Sequence, residues 1–314
     1  MGALTRLTAP GRWQVPGHVF TGPTTRVNGA LHYDYTTVGH VTIDVLEDGS
    51  RRPGGAAFYS ALQAARLGLR VQIITRGVER EIEAALDHYR QELHLHVQPA
   101  RHTTTLRTFG SGSKRVQRVL AWAGPIGEEP AVDTSILHLA PIARESPTSW
   151  RGQAPFVGLT PQGLVREWGG PRGRIRIAAP TGSAARGAML VAEQCSAVVV
   201  SEHERPSCAR LIDRASACGA VVAITAGGQP NTIIRARGGE ELDLHVPTVE
   251  NTRDDLGAGD VFAAAFFVSL SRGLDALDAA RFANAAAALR VSRVGAEAIG
   301  GLAEIEARVR AVEG

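Results

Sequence analysis

Apolar residues follow two alternating patterns along most of the chain. Short β-branched runs predict buried strands, and longer alanine-rich stretches with helical spacing predict helices between them. The strands are predicted at residues 37–44, 71–75, 93–97, 136–140, 156–159, 197–200 and 221–224, and the helices at residues 56–67, 80–92, 261–271, 277–291 and 302–312. This alternation is typical of a doubly wound α/β fold, in which helices cover both faces of a mostly parallel sheet.

A hairpin is predicted outside that repeat. Residues 103–121 alternate around a Gly-Ser-Gly turn at 110–112. We expect parts of residues 44–53 and 103–121 to form a small β lid. Residues 1–35 are interpreted as an N-terminal extension and residues 36–314 as a single domain.

Composition excludes several classes of protein. The 314 residues are 44% apolar and 21% charged, which is ordinary for a globular protein, and the net charge is +3. No basic stripe with interleaved aromatic residues indicates nucleic-acid binding. Three cysteines without metal-ligand spacing argue against a disulfide framework or a metal centre. Without a membrane-spanning run or a signal peptide, the expected location is the cytoplasm, away from membranes.

The segment that carries the most chemical information is residues 254–260, followed by an apolar run. Gly257, Ala258 and Gly259 leave bare backbone N–H groups at the first turn of a predicted buried helix. Such a turn favours an anion, because its amides are unpaired and the helix dipole is positive there. Asp260 adds a carboxylate suited to take a proton from an alcohol while the amides hold a transferred phosphoryl group.

Two motifs make the chain similar to the PfkB/ribokinase family of sugar kinases. The C-terminal family motif reads D-T-x-G-A-G-D-x-F and corresponds to residues 254–262, with Asp255 in place of Thr. The N-terminal motif, G-x-x-x-x-D followed by P-G-G-A, corresponds to residues 39–44 and 53–56. The resemblance implies a ribokinase-like fold, Asp260 as catalytic base, and an anion hole formed by the glycine-rich turn.

The resemblance also implies an acceptor site. Asp44 and the backbone of Gly54 and Gly55 are expected to contact the acceptor, because a carboxylate accepts hydrogen bonds from neighbouring hydroxyls and bare glycines permit close approach. Tyr59 stands where sugar-binding members usually have Asn, and it is either a substrate contact or a core aromatic. Arg107, on the predicted hairpin, is a further candidate substrate contact or a solvated charge.

The donor site is expected after the strands of the second half. Glu204 matches a family Glu that orders magnesium-bound water, with Ser201 in place of Asn, and Asp254 is the second candidate metal residue. The remaining candidate nucleotide-binding residues are Thr225, Gly227, Gly228 and, on a predicted helix, Asn284.

The resulting hypothesis is a kinase that uses ATP and Mg²⁺ to phosphorylate a hydroxyl of a small sugar or polyol, as a monomer or homodimer. The short 44–53 segment, together with residues 103–105 and 160–166, resembles the myo-inositol kinase branch. The alternatives are a nucleoside or ketose kinase and a catalytically quiet ligand-binding relative. A dinucleotide-dependent oxidoreductase is excluded, because no G-x-G-x-x-G follows the first predicted strand.

Overall fold

A computed structural model describes residues 26–27, 30–127, 129–226, 231–235, 240–245, 249 and 252–313. Its strands are β1 (Arg26–Val27), β2 (Ala30–Leu31), β3 (Tyr33–Val38), β4 (Thr42–Val45), β5 (Arg51–Gly54), β6 (Val71–Gly77), β7 (Leu93–Pro99), β8 (Thr105–Phe109), β9 (Val116–Ala121), β10 (Ala131–Leu139), β11 (Arg151–Gln153), β12 (Phe156–Leu159), β13 (Arg166–Glu167), β14 (Arg176–Ile177), β15 (Ala197–Ser201), β16 (Val221–Thr225), β17 (Asn231–Arg235) and β18 (Glu241–His245). The helices are α1 (Ala56–Arg66), α2 (Glu79–Leu86), α3 (Gly182–Ala192), α4 (Arg205–Ala217), α5 (Ala258–Ser271), α6 (Ala276–Ser292) and α7 (Leu302–Glu313).

The main sheet follows the predicted parallel design. Within the described ranges its order is β18-β17-β16-β15-β12-β10-β3-β6-β7, and β11 pairs with the beginning of β10. Strands from β16 to β7 are parallel, whereas β17 and β18 add an antiparallel edge that the sequence analysis did not predict. The parallel strands end at one edge of the sheet, which is where α/β folds bind their ligands.

Helices cover both faces of this sheet. The helices α1, α5, α6 and α7 contribute to a core on one face, and α3 and α4 contribute to a core on the other. Every residue of α5 from Val261 to Ser269 is buried. A helix that is apolar on all sides is stable only inside a core, so the first turn of α5 is held firmly between the sheet and its neighbouring helices.

A smaller four-stranded sheet lies apart from the main one, with the order β5-β4-β8-β9. It is built from the segments expected to form the lid. The predicted strand over 37–44 is wrong in one respect, because Gly39 divides it into β3 of the main sheet and β4 of the small sheet. A Cβ at Gly39 would lie 2.2 Å from the carbonyl oxygen of Ala140, so the crossing requires glycine.

The helices carry no sign of a membrane span. Across the described ranges, none is at once long enough and apolar enough to cross a bilayer.

Candidate active site

The glycine-rich turn lies at the first turn of α5, as the sequence predicts. Gly257 precedes the helix in the left-handed conformation, with φ of 78°. A Cβ there would lie 2.3 Å from Cγ of Tyr59, so both its backbone conformation and its packing require glycine. A Cβ on Gly259 would meet nothing within 4 Å, so that side of the turn is open. The amide of Ala258 donates to the carbonyl oxygen of Asp255 at 3.3 Å, whereas the amide of Gly259 has no acceptor among the described residues and is available to an anion.

Tyr59 is a core residue beneath this turn. Its side chain is 2% exposed, its ring packs against Gly257, and the guanidinium carbon of Arg290 lies 5.4 Å from its centroid. Burial raises the pKa of the phenol to about 12. Because the ring lies under the turn, the structure supports the core alternative and does not favour the predicted acceptor contact.

Asp260 follows the turn and is only partly exposed. Among the described residues, its carboxylate accepts no hydrogen bond, while its backbone carbonyl accepts one from Ser60 Oγ at 3.2 Å. The pKa of Asp260 is raised to about 7, mainly by burial; Arg166 and Arg115 oppose the rise, and the carboxylates of Glu204 and Asp44 add to it. A carboxylate with a pKa near neutrality is well suited to act as a general base.

Asp44 lies on β4 and is 3% exposed. Thr42 Oγ1 donates to its Oδ1 at 2.7 Å, and a Cβ on Gly54 would lie 2.2 Å from its Oδ2. Burial raises the pKa of Asp44, and Thr42 and nearby arginines oppose the rise. Gly55 has φ of 93° and begins α1, where a Cβ would lie 2.3 Å from the carbonyl oxygen of His40. Both glycines therefore also serve close packing.

Arg107 lies on the other face of the small sheet from Asp44. In the register of β4 and β8, Asp44 pairs with Leu106, whereas Arg107 pairs with Val45. Paired residues share a face of a sheet and successive residues alternate. The Arg107 guanidinium carbon lies 5.3 Å from the ring centroid of Phe109. The predicted substrate contact by Arg107 is therefore not supported.

Asp254 is the centre of an ion-pair cluster. Its oxygens accept hydrogen bonds from both terminal nitrogens of Arg52, at 2.9 and 3.2 Å, from Arg290 at 3.0 Å, and from the amides of Gly295 and Leu256. Burial alone would raise the pKa of Asp254, but these partners hold it well below its usual range. With two guanidiniums and two amides on one carboxylate, the structure does not support the predicted metal role.

Asp255 connects the turn to the hairpin of the small sheet. Its carboxylate accepts a hydrogen bond from the amide of Gly112 at 2.8 Å and pairs with the Arg115 guanidinium. The acidic residue that departs from the family motif therefore ties the hairpin tip to the anion-binding turn.

Glu204 lies beyond the end of β15 and is 6% exposed. Its Oε2 accepts a hydrogen bond from Ser201 Oγ at 2.7 Å, so Ser201 orients this carboxylate. In the described residues, Oε1 has no hydrogen-bond donor and no group of three or more His, Cys, Asp or Glu could hold a metal. A single oriented carboxylate fits an Mg²⁺ ion that keeps its waters and is bound mainly by phosphates.

Two of the four remaining nucleotide-site candidates, Thr225 and Asn284, lie along the same edge. Thr225 ends β16 in register with Ser201. Asn284 lies on α6, where its Oδ1 accepts a hydrogen bond from Thr232 at 3.3 Å and its buried Nδ2 has no partner among the described residues. Gly227 and Gly228 lie outside the described residues.

The structure adds Arg166, which the sequence analysis did not select as a site residue. It is 8% exposed and lies near both Asp260 and Glu204. Arg166 is the last residue of the segment 160–166, which resembles the myo-inositol kinase branch. That resemblance did not assign a role to the arginine itself. Asp44, Arg166 and Glu204 are each close enough to Asp260 for their charges to shift its pKa, and we call the region among these four residues the candidate recess.

The C-terminal half matches a known family. Residues 175–300 match the family model described as pfkB family carbohydrate kinase. The matched range contains the motif at residues 254–262. The bifunctional protein HldE of Bradyrhizobium diazoefficiens is 40% identical over 97 residues, which are 31% of this chain and 19% of that protein. The match therefore spans about a fifth of the curated relative.

Solved structures confirm the ribokinase-like fold. A pyrophosphate-dependent kinase in the ribokinase family, complexed with a pyrophosphate analog and myo-inositol, superposes with a TM-score of 0.65 at 18% identity. The match covers 87% of this chain and 99% of that one. The Arabidopsis thaliana ribokinase complexed with ribose and ATP gives a TM-score of 0.66 at 16% identity, over 89% and 99% of the two chains.

Proposed function

We propose that the protein is an ATP-dependent phosphotransferase that phosphorylates a hydroxyl of a small sugar or polyol. The observation that carries this proposal is Asp260, a partly exposed carboxylate with a pKa near 7 at the first turn of the buried helix α5. A pure binding protein gains nothing from a neutral-range base beside an anion-binding turn, which argues against the catalytically quiet alternative.

In this proposal Asp260 accepts the proton of the acceptor hydroxyl as its oxygen attacks the terminal phosphorus of the donor. The amides of the glycine-rich turn that have no acceptor, above all that of Gly259, stabilise the negative charge on the transferred group. Bound Mg²⁺ would neutralise the charge of the donor phosphates, with Glu204 contacting it through water. Ser201 and Thr225 line the donor side in this proposal, and Asn284 lies beside the base of the nucleotide.

The acceptor is proposed to bind against Asp44. Thr42 occupies only Oδ1, so Oδ2 is available to acceptor hydroxyls. We favour myo-inositol as the first acceptor to test, because the chain shares its fold with a kinase complexed with that polyol. Ribose, ketoses and nucleosides are the same-fold alternatives. A cytoplasmic location and a monomeric or homodimeric state complete the proposal, in which the small sheet acts as the lid.

The decisive experiment follows phosphate transfer directly by ³¹P nuclear magnetic resonance. The protein is incubated with Mg²⁺, either ATP or pyrophosphate, and one acceptor at a time from myo-inositol, ribose, fructose and adenosine. Formation of a phosphate ester with one acceptor, and not without it, supports the proposal. Loss of terminal phosphate only to water with every acceptor and donor, or no reaction at all, would contradict it.

A further inference from the structure

Arg166 is a buried cation without an ion-pair partner in the described part of the chain. It is 8% exposed, and its Nη1 donates one hydrogen bond, to the carbonyl oxygen of Ile142 at 3.2 Å. The other described guanidiniums beside the site are paired, Arg52 with Asp254 and Arg115 with Asp255. A buried charge is costly unless something compensates it, so an unpaired guanidinium at a site points to an anionic ligand.

The backbone around Arg166 is fixed by the fold. It begins β13, which pairs with β14, and Ala178 donates to the carbonyl of the preceding Val165 at 2.8 Å. Just before it, the turn Pro161–Val165 packs on the loop at Pro141, where a Cβ on Gly163 would lie 2.6 Å from the Pro141 carbonyl carbon. This framework fixes the backbone of Arg166, and the hydrogen bond to Ile142 orients its guanidinium before any ligand binds. Transition-state stabilisation requires such preorganised donors.

Arg166 follows the turn that begins at the carboxyl end of β12, and β12 pairs with β15, the strand that leads to Glu204. Arg166 therefore lies at the same edge of the main sheet as the candidate recess. Burial lowers the pKa of Arg166, and the carboxylates that oppose this decrease are Glu204 on the donor side, then Asp260 on the acceptor side, and Glu145. A phosphoryl group that passes from a donor near Glu204 to an oxygen near Asp260 must cross the space between them. Arg166 is therefore near the path of transfer.

We propose that Arg166 binds a non-bridging oxygen of the phosphoryl group during its transfer. This inference rests on the proposed function. The acceptor oxygen forms its bond to phosphorus as its proton passes to Asp260. The bond between phosphorus and the leaving oxygen breaks, and its electron pair leaves with ADP. Arg166 donates hydrogen bonds throughout and exchanges no proton.

Arg166 could instead bind an anionic group on the acceptor, such as a carboxylate. The position beside Glu204 favours the donor phosphoryl. The two sources differ in kinetics, because a residue that binds the moving phosphoryl group acts mainly on kcat, whereas a residue that binds an acceptor carboxylate acts mainly on the KM of that acceptor.

The test compares Arg166→Met, Arg166→Lys and the surface control Arg186→Met on α3, with the acceptor found for the wild type. Thermal unfolding of each variant verifies that it is folded. We expect Arg166→Met to lower kcat by about 100- to 1000-fold while the acceptor KM changes less than about threefold. Arg166→Lys should recover about tenfold of that loss if it retains part of the electrostatic interaction. Arg186→Met should match the wild type.

A second readout separates binding from folding. Since Arg166 opposes the raised pKa of Asp260, the acid limb of the kcat profile should move to higher pH in Arg166→Met but not in Arg166→Lys. An active wild type with unchanged kcat in folded Arg166 variants would overturn this inference alone. So would a loss confined to the KM of an anionic acceptor. Absence of phosphoryl transfer by the wild type would overturn the proposed function itself. If Arg166→Met does not fold, the kcat of Arg166→Lys alone tests the inference. A wild-type kcat in Arg166→Lys would then also overturn the inference.

Discussion

Turnover should depend on pH through the ionisation of Asp260. The proposed base works only as a carboxylate, and burial raises its pKa to about 7. About one tenth of the protein would then carry the ionised base at pH 6, half at pH 7 and about nine tenths at pH 8. We therefore expect kcat/KM to rise about tenfold from pH 6 to pH 8 and to fall about tenfold for each pH unit below 6.

The same ionisation should appear in protein stability, without substrate. The pKa of Asp260 in the folded protein lies above the ordinary value of 3.8 for an aspartate, so ionisation destabilises the fold as pH rises from about 4 to about 7. Asp260→Asn removes this cost. The free energy of unfolding of Asp260→Asn, relative to that of the wild type, should increase by at most about 2–3 kcal/mol between pH 5 and pH 8. Because the Asp260 side chain is partly exposed and solvent screens its charge, we expect a smaller increase than this maximum.

Both effects are measurable with standard assays. Initial rates at saturating Mg²⁺ and donor give the pH profile, and urea titrations of the wild type and Asp260→Asn at pH 5 and pH 8 give the stabilities. An acid limb near pH 4, together with a constant difference in free energy of unfolding, would refute the argument that burial raises the pKa of Asp260.

Two further predictions concern the frame around the turn. Gly257→Ala should destabilise the protein by about 2 kcal/mol or more in urea titration, because the alanine Cβ would sit on a left-handed backbone and overlap the ring of Tyr59. The control Gly259→Ala, whose Cβ meets open space, should change the free energy of unfolding by less than about 1 kcal/mol. Equal losses in the two variants would contradict this reasoning. Asp254→Asn should cost about 3–5 kcal/mol, because it leaves the fully buried Arg290 without its carboxylate, while the exposed-pair control Asp278→Asn should cost less than about 1 kcal/mol. A urea midpoint equal to that of the wild type for Asp254→Asn would show that the ion-pair cluster of Asp254 does not stabilise the fold.

The local pattern of apolar residues and glycines was sufficient to predict the parallel strands of the main sheet and the glycine-rich turn of the candidate site. The β-branched runs at 197–200 and 221–224 became β15 and β16, and the alanine-rich stretch became α1. In these elements burial and local propensity favour the same structure. The antiparallel edge of β17 and β18 was not predicted, because its strands have polar, charged positions without a strong apolar run.

The roles of individual side chains depended on contacts that the sequence does not reveal. Arg107 lies on the far face of the small sheet because of a strand register that joins β4 to a segment about sixty residues later. Tyr59 packs under Gly257, and Asp254 binds two distant arginines. Arg166 was missed for the same reason, since its charge partners lie on other elements.

The most direct test of the central claim is phosphoryl transfer by Asp260→Asn beside the wild type, at pH 8 with Mg²⁺, donor and the active acceptor. The asparagine is nearly isosteric but cannot accept the hydroxyl proton. The account predicts that the variant folds, binds the donor with nearly unchanged affinity, and loses at least about 100-fold in kcat. Wild-type kcat in a folded Asp260→Asn variant would contradict the assignment of Asp260 as the base.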